Sequence, residues 1–172
     1  ELGADDRAFP TIVASGVNSA VPHHQAGTKP VEVGDLLVID CGAKVCGYHA
    51  DMTRTFVVAA EPNDWQRDLH ALVLKAQKHG LQEIAPGVLA REVDAVARLV
   101  IEEGGYGAHF AHGTGHGVGY LLNVHEGPQS FGRGAAAKNI ALQPGMLITI
   151  EPGYYVPGSY GLRNEKMVAL PE

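Results

Sequence analysis

Apolar positions along this chain keep two rhythms, and the change between them marks its organisation. Residues 1–10 are polar and without pattern, while Thr11-Ile-Val-Ala-Ser15 is a β-branched run closed by Gly16 and predicts a strand. Leu36-Leu-Val-Ile-Asp-Cys41 stays apolar up to Asp40, the pattern of a strand buried on both faces. After a turn over 42–47, Met52-Thr-Arg-Thr-Phe-Val-Val58 runs back as a second strand. The pair predicts a hairpin with Asp40 and Asp51 facing each other. From residue 63 the spacing becomes helical. Pro62-Asn63-Asp64 supplies start chemistry, and Trp65, Leu69, Leu72, Val73 and Ala76 follow on one face, with Trp65 as its expected anchor. Pro86-Gly87 separates a second helix, whose stripe of Leu89, Val93, Val96, Ala97, Val100 and Ile101 stops at Gly104-Gly105. Both stripes read as core.

Beyond residue 110 the chain changes character. Phe110 to Glu126 carries His112, His116 and His125, with glycine at 113, 115, 117 and 119. Alternate glycines disfavour helix. In an extended chain they leave one face bare, so that another backbone can approach closely. His112 and His116 would then stand about 13 Å apart, too far for one ion. Either one histidine binds metal while the others line a cleft, or the segment is a glycine-rich loop with satisfied histidines. Residues 127–143, with Ala135-Ala-Ala137, read as a long loop. Pro144 to Glu151 reads as a buried strand ending on an acid, and after a turn at 157–161 the segment 162–170 returns.

Val33-Gly-Asp-Leu-Leu-Val-Ile-Asp40 and Pro144-Gly-Met-Leu-Ile-Thr-Ile-Glu151 match at a constant offset of 111 residues. Each opens with a glycine, runs apolar, ends on a carboxylate and enters a hairpin whose return strand carries another. Two related halves follow, about 1–62 and 63–172. Helices precede the second half alone, which predicts matching helices upstream and a single catalytic domain truncated at its N-terminus. Residues 1–172 alone are accordingly expected to leave an apolar sheet face over 11–58 uncovered, and to be poorly soluble, loosely folded or inactive.

Composition narrows the partners. A chain of 172 residues with 45% hydrophobic and 19% charged positions suits one globular domain. A net charge of -6, without a Lys/Arg-rich run, gives no basis for nucleic-acid binding, and no apolar stretch is long enough to span a membrane. Two cysteines, Cys41 and Cys46, suit a reducing cytoplasm better than a disulfide framework.

Four carboxylates in two symmetric hairpins need compensating charge. Arg54, Arg163 and Lys166 are the cations at hand. Oxygen ligands with a single imidazole suit two ions of Mn²⁺, most of all, or Co²⁺ or Zn²⁺, and such a pair serves amide hydrolysis. A structural cation site is the alternative.

Ile39-Asp40-Cys-Gly42, Ala50-Asp51-Met-Thr-Arg-Thr-Phe56, His112-Gly-Thr-Gly-His116, Ile150-Glu151-Pro-Gly153 and Gly161-Leu-Arg163-Asn-Glu165 together resemble the pita-bread metallopeptidases. Within them the match is to the aminopeptidase P and prolidase branch, over about residues 9–170. The resemblance implies an α+β fold of two pseudo-symmetric halves, with a curved, mostly antiparallel sheet covered by helices. It implies Asp40, Asp51, His116, Glu151 and Glu165 as ligands of two divalent ions, Asp51 and Glu165 bridging. Glu151 would handle the proton of the attacking water, a metal-bound hydroxide in this family. His23, His112 and His125 match the family's substrate-cleft histidines, with His24 the alternative to His23. Arg163, two residues before Glu165, shares its strand face and can hold a ligand carboxylate; methionine aminopeptidases lack this arginine, which favours the proline-directed branch. Lys166 departs from the family's usual Asn or Asp.

His116 and His125 are nine residues apart, closer to the aminopeptidase P type. The activity expected is removal of the residue preceding proline from a peptide's amino end. Prolidase action on Xaa-Pro dipeptides is the alternative, and a non-catalytic binding module the third possibility. The full-length protein is expected to be a homo-oligomer, a dimer. His49, His70, His79 and His109 read as surface or core residues, and Tyr106, Tyr154, Tyr155 and Tyr160 are left open as cleft candidates.

Overall fold

The β-rich runs of the first sixty residues pair with one another in sequence order. In the computed structural model, which describes residues 3–133 and 139–171, they form β1 (Asp6–Arg7), β2 (Ile12–Ser15), β3 (Leu36–Cys41), β4 (Ala43–Val45), β5 (Tyr48–His49) and β6 (Met52–Val57). β3 is the middle strand of an antiparallel sheet ordered β2-β3-β6. Past its end the hairpin continues into β4 and β5, with β1 alongside β4. Thr53, rather than Asp51, stands opposite Asp40. Asp51 lies two positions before Thr53, a spacing that returns a side chain to the same face.

Helix α1 (Asp64–Glu83) starts where its cap chemistry predicts: the Asn63 side chain accepts from the Gln66 N–H, and the Gln66 side chain accepts from the Asn63 N–H. Leu69, Val73, Ala76 and Gly80 face inward. Trp65 is not the anchor expected of it. It is 42% exposed, its ring 4.4 Å from that of Tyr160. Helix α2 (Ala90–Glu103) buries Val93, Ala97, Val100 and Ile101, and also Asp94 and Arg98.

The second half contributes β7 (Gly115–Val118), β8 (His125–Phe131), β9 (Leu147–Ile150), β10 (Gly153–Val156), β11 (Tyr160–Arg163) and β12 (Lys166–Ala169). Sheet order is β12-β9-β7-β8, with β10 and β11 as a separate hairpin. β9 thus occupies the place of β3, a central apolar strand flanked by an earlier strand and a return strand. Ile148, Ile150, Phe131 and Leu142 meet Ala90 and Val93 of α2 in the main core.

Three expectations change. Residues 127–131 are strand, not loop; Gly127-Pro128 imitates a turn, and proline is tolerated because β8 is an edge strand. The Ala135–Ala137 run lies outside the described residues. The return segment 162–170 is two strands, broken at Asn164-Glu165. β3 is buried on one face only. Leu36, Val38 and Asp40 are covered, but the face with Leu37 and Ile39 continues into Phe56 and Val13, which are 51% and 40% exposed. Among the described residues α1 and α2 pack on β8, β9 and β11 and leave that face open.

The alternate glycines act as expected of a bare backbone face. A Cβ on Gly115 would stand 1.9 Å from the Thr149 carbonyl oxygen, and one on Gly113 1.9 Å from that of Phe131. Gly115→Ala must therefore push β7 off β9. We expect a loss of stability of about 1–3 kcal/mol, seen as a lower melting temperature; an unchanged melting curve would contradict this packing.

Candidate metal centre

The ends of the central strands bring the acids together. Asp40 closes β3, Asp51 precedes β6, His116 lies in β7, Glu151 follows β9 and Glu165 precedes β12. Ligand atoms of Asp40, Asp51 and Glu165 lie within 4.8 Å of one another, as do those of His116, Glu151 and Glu165, and those of Asp51, His116 and His125. The His116 Nε2 is 3.4 Å from both Asp51 Oδ2 and Glu151 Oε1. Asp40, Asp51 and Glu165 are 8%, 6% and 1% exposed.

Such crowding is costly without cations. Burial first, then the neighbouring carboxylates, push Glu165 up to about 9 and Glu151 up to about 8, although Arg163 opposes the shift at Glu151. Burial raises Asp40 as well, against the pull of Arg163. Among the described residues, three buried side-chain polar atoms lack any hydrogen-bond partner: Asp40 Oδ1, His116 Nε2 and Glu165 Oε1. All three belong to this cluster. Buried polar groups are satisfied almost everywhere in proteins, so orphaned acceptors distributed over neighbouring groups that share Glu165 fit bound cations.

Arg163 is the cation that touches the cluster. It is 2% exposed and donates to Asp40 Oδ2 at 2.7 Å, the Tyr155 hydroxyl at 2.8 Å and Thr53 Oγ1 at 3.0 Å. Arg54 instead donates to the carbonyls of Thr53 and Glu165, and Lys166 is exposed. Two threonines that the sequence reading passed over serve the acids. Thr53 donates to Glu165 Oε2 at 2.8 Å, and Thr149 donates to Glu151 Oε1 at 3.2 Å while accepting the His116 N–H. The parity that singles out Arg163 beside Glu165 would have found them, since each stands two residues from an acid. Of the four open tyrosines only Tyr155 reaches the centre. Tyr154 is core, with Tyr106 and Tyr160 packed against it.

The cluster opens into a cavity of about 460 Å³ lined by His23, His112, His116, His125, Glu151 and Arg163, among others. A second opening, walled by Phe9, Pro10, Ile12, His24 and Val124, reaches the same Asp40 and Asp51 and shares His23 and His125. His24 lines the second opening alone of the two. The His125 ring lies tilted against that of His116, centroids 3.9 Å apart, and 6.3 Å from that of His23, so its place suits a metal ligand as well as a cleft residue. His112 lines the first cavity, Nε2 2.9 Å from the Tyr155 hydroxyl and Nδ1 2.7 Å from the Gly113 oxygen. Burial pulls its pKa down to about 4, and burial with the His116 ring lowers His125. Of the other histidines, His49 is buried against the Gly119 carbonyl and His109 packs on Tyr154; His70 and His79 lie on α1.

The sequence profile of metallopeptidase family M24 matches residues 1–172. The Xaa-Pro dipeptidase of Pyrococcus furiosus is 47% identical over 170 residues, covering 99% of this chain and 47% of that protein. The solved prolidase from the same organism superposes with a TM-score of 0.90 at 46% identity, over 99% of this chain and 48% of that one. An X-Pro aminopeptidase from Thermotoga maritima gives a TM-score of 0.90 at 45% identity, over 99% of this chain and 46% of that one. The chain spans about half the length of the curated relatives it matches. Matched along its whole length, and sharing the pita-bread architecture of these structures, the chain belongs to metallopeptidase family M24.

Proposed function

We propose that this chain carries the centre of a divalent-metal-dependent peptidase that cleaves the Xaa-Pro bond, and that its substrates are Xaa-Pro dipeptides. The three orphaned buried polar atoms, Asp40 Oδ1, His116 Nε2 and Glu165 Oε1, set in two ligand groups that share Glu165, carry the metal part of this reading. Asp40, Asp51, His116, Glu151 and Glu165 would hold two ions. An oxygen-rich donor set with one imidazole favours Mn²⁺, with Co²⁺ or Zn²⁺ as substitutes. When bound, such ions polarise a carbonyl and lower the pKa of water.

The chain's own groups do the rest. Glu151, at the rim with 17% of its side chain exposed, takes the proton of the attacking water. Arg163 fixes Asp40 so that its free oxygen faces the cluster. His23, His112 and His125 line the same cleft and hold the substrate there. His112 stays neutral there, because burial disfavours its charged form.

Dipeptide specificity is the reading we prefer to the aminopeptidase P activity expected from the nine-residue spacing of His116 and His125. Relatives 46–47% identical bear the name Xaa-Pro dipeptidase. The spacing itself is taken up by a register irregularity between His116 and Val118 and by the connection from β7 to β8, where Val118 pairs with His125. The orphaned atoms speak against a non-catalytic module. We also read residues 1–172 as one catalytic domain of two half-repeats, dimeric in the full-length protein by family resemblance alone. A cytoplasmic setting rests on the free Cys41 and Cys46; no helix of the described residues is long and apolar enough to cross a membrane.

The test compares Xaa-Pro dipeptides with Xaa-Pro-Xaa tripeptides on the manganese-supplied protein. The dipeptide is expected to win in kcat/KM by about tenfold or more, about 1.4 kcal/mol of transition-state discrimination. Preference for the tripeptide would restore the aminopeptidase reading, and hydrolysis of neither by metal-loaded protein would leave a binding module.

A further inference from the structure

We propose that Asp94 and Arg98, a buried ion pair on α2 that touches none of the clustered carboxylates, are positioning residues that hold His112 in the cleft; this rests on the role given to His112 above. Arg98 donates through Nε and Nη2 to both oxygens of Asp94, at 3.0 and 2.8 Å. The same guanidinium donates to the carbonyl oxygens of Phe110 and of His112 itself, each at 2.8 Å. Asp94 Oδ1 meanwhile accepts from the Thr114 N–H at 2.9 Å and the Thr114 hydroxyl at 2.8 Å. His112 is thereby gripped on both sides along the chain. Arg98 also lies over the Phe110 ring, 4.1 Å from its centroid, and that ring meets the His112 imidazole edge-on at 5.3 Å.

Residues 110–114 belong to no strand. Without the clamp, His112 would sit on an irregular segment beside a glycine. Nor does packing alone account for the pair. Asp94 and Arg98 are 1% and 4% exposed on a helix face otherwise filled by Val93, Ala97, Val100 and Ile101. Well-packed apolar residues often stabilise such a place as well as a buried ion pair does. What they cannot supply is a set of directed hydrogen bonds to the backbone around one histidine.

A double-mutant cycle on the full manganese-loaded chain tests this, with kcat and KM for an Xaa-Pro dipeptide measured for wild type, Arg98→Lys, His112→Ala and the combination. Lysine keeps the charge and loses the fork. Arg98→Lys is expected to lower kcat by about 100-fold, the scale of an ångström-sized misplacement, with KM within about threefold and bound metal at wild-type stoichiometry. On the His112→Ala background the same change should alter kcat by less than about twofold, because groups acting through one another are not additive. In the metal-free protein, the His112 ring resonances should shift on Arg98→Lys. An equal loss on both backgrounds, or a wild-type kcat for folded Arg98→Lys, overturns the proposal while leaving the site reading intact. A wild-type rate for His112→Ala overturns the site reading and the proposal with it. Should Arg98→Lys fail to fold, Thr114→Val removes one bond of the clamp and enters the same cycle, with about a tenfold loss expected on the wild-type background and none on His112→Ala.

Discussion

Replacing Glu151 by glutamine is expected to lower kcat on an Xaa-Pro substrate by about a thousandfold or more, and to reduce bound metal in elemental analysis. Two losses combine. The proposed general base would be removed, a contribution of about 10²–10⁴ in rate, and the cluster would lose a negative charge that would face a dication. The shape of the side chain is kept, and Thr149 can still donate to its oxygen. Glutamine cannot become negative when a cation arrives, whereas Glu151, held near 8 by burial and by Asp51 and Asp40, can. His116→Ala is expected to behave alike, since its Nε2 points into the cluster with no protein hydrogen-bond partner. Wild-type turnover in either variant would remove that residue from the centre.

Metal and proton should compete for the same groups, and this yields the second large effect. Without metal, Glu151 and Glu165 titrate near 8 and 9 in the folded chain, but near the ordinary carboxylate value of 4.5 when unfolded. Between these limits the folded state binds more protons, so stability falls as pH rises. The metal-free protein is therefore expected to melt at a higher temperature at about pH 5.5 than at about pH 8.5. Manganese should reverse the order, because it binds the deprotonated ligands and its affinity grows with pH. The same competition makes activity fall below about pH 6. Melting curves with chelator and with manganese across this range check both signs. A metal-free protein that gains stability on going alkaline would show that the acids are not crowded in solution.

Much of this was visible in the chain because a few residues break strong patterns. A carboxylate at the end of an apolar strand, as at Asp40 and Glu151, is conspicuous, and its repetition at a fixed offset more so. Thr53 and Thr149 were not conspicuous, since threonine is at home in any strand; only their register beside the acids reveals a task. Asp94 and Arg98 were concealed by the apolar stripe they interrupt. A charged pair at i,i+4 on the covered face of a helix is the sign that was available and unused. β8 escaped because Gly127-Pro128 looks like a turn, and edge position is a tertiary fact. The exposed side of β3 was legible in the repeat, which places helices before the second half alone, and not in the apolar run itself. An apolar run records that both faces want cover, not which segment provides it.

The centre is made of contacts that are distant along the chain. Arg163 meets Asp40 across 123 residues, and Thr53 meets Glu165 across 112. Each hairpin can close on itself within microseconds, but joining the two requires a far larger loop, and non-local pairing of this kind slows folding. The groups able to capture a metal ion therefore come together only when the halves dock. During refolding, uptake of manganese should trail the appearance of secondary structure and become independent of metal concentration once saturating, so that its plateau rate reads the docking step directly.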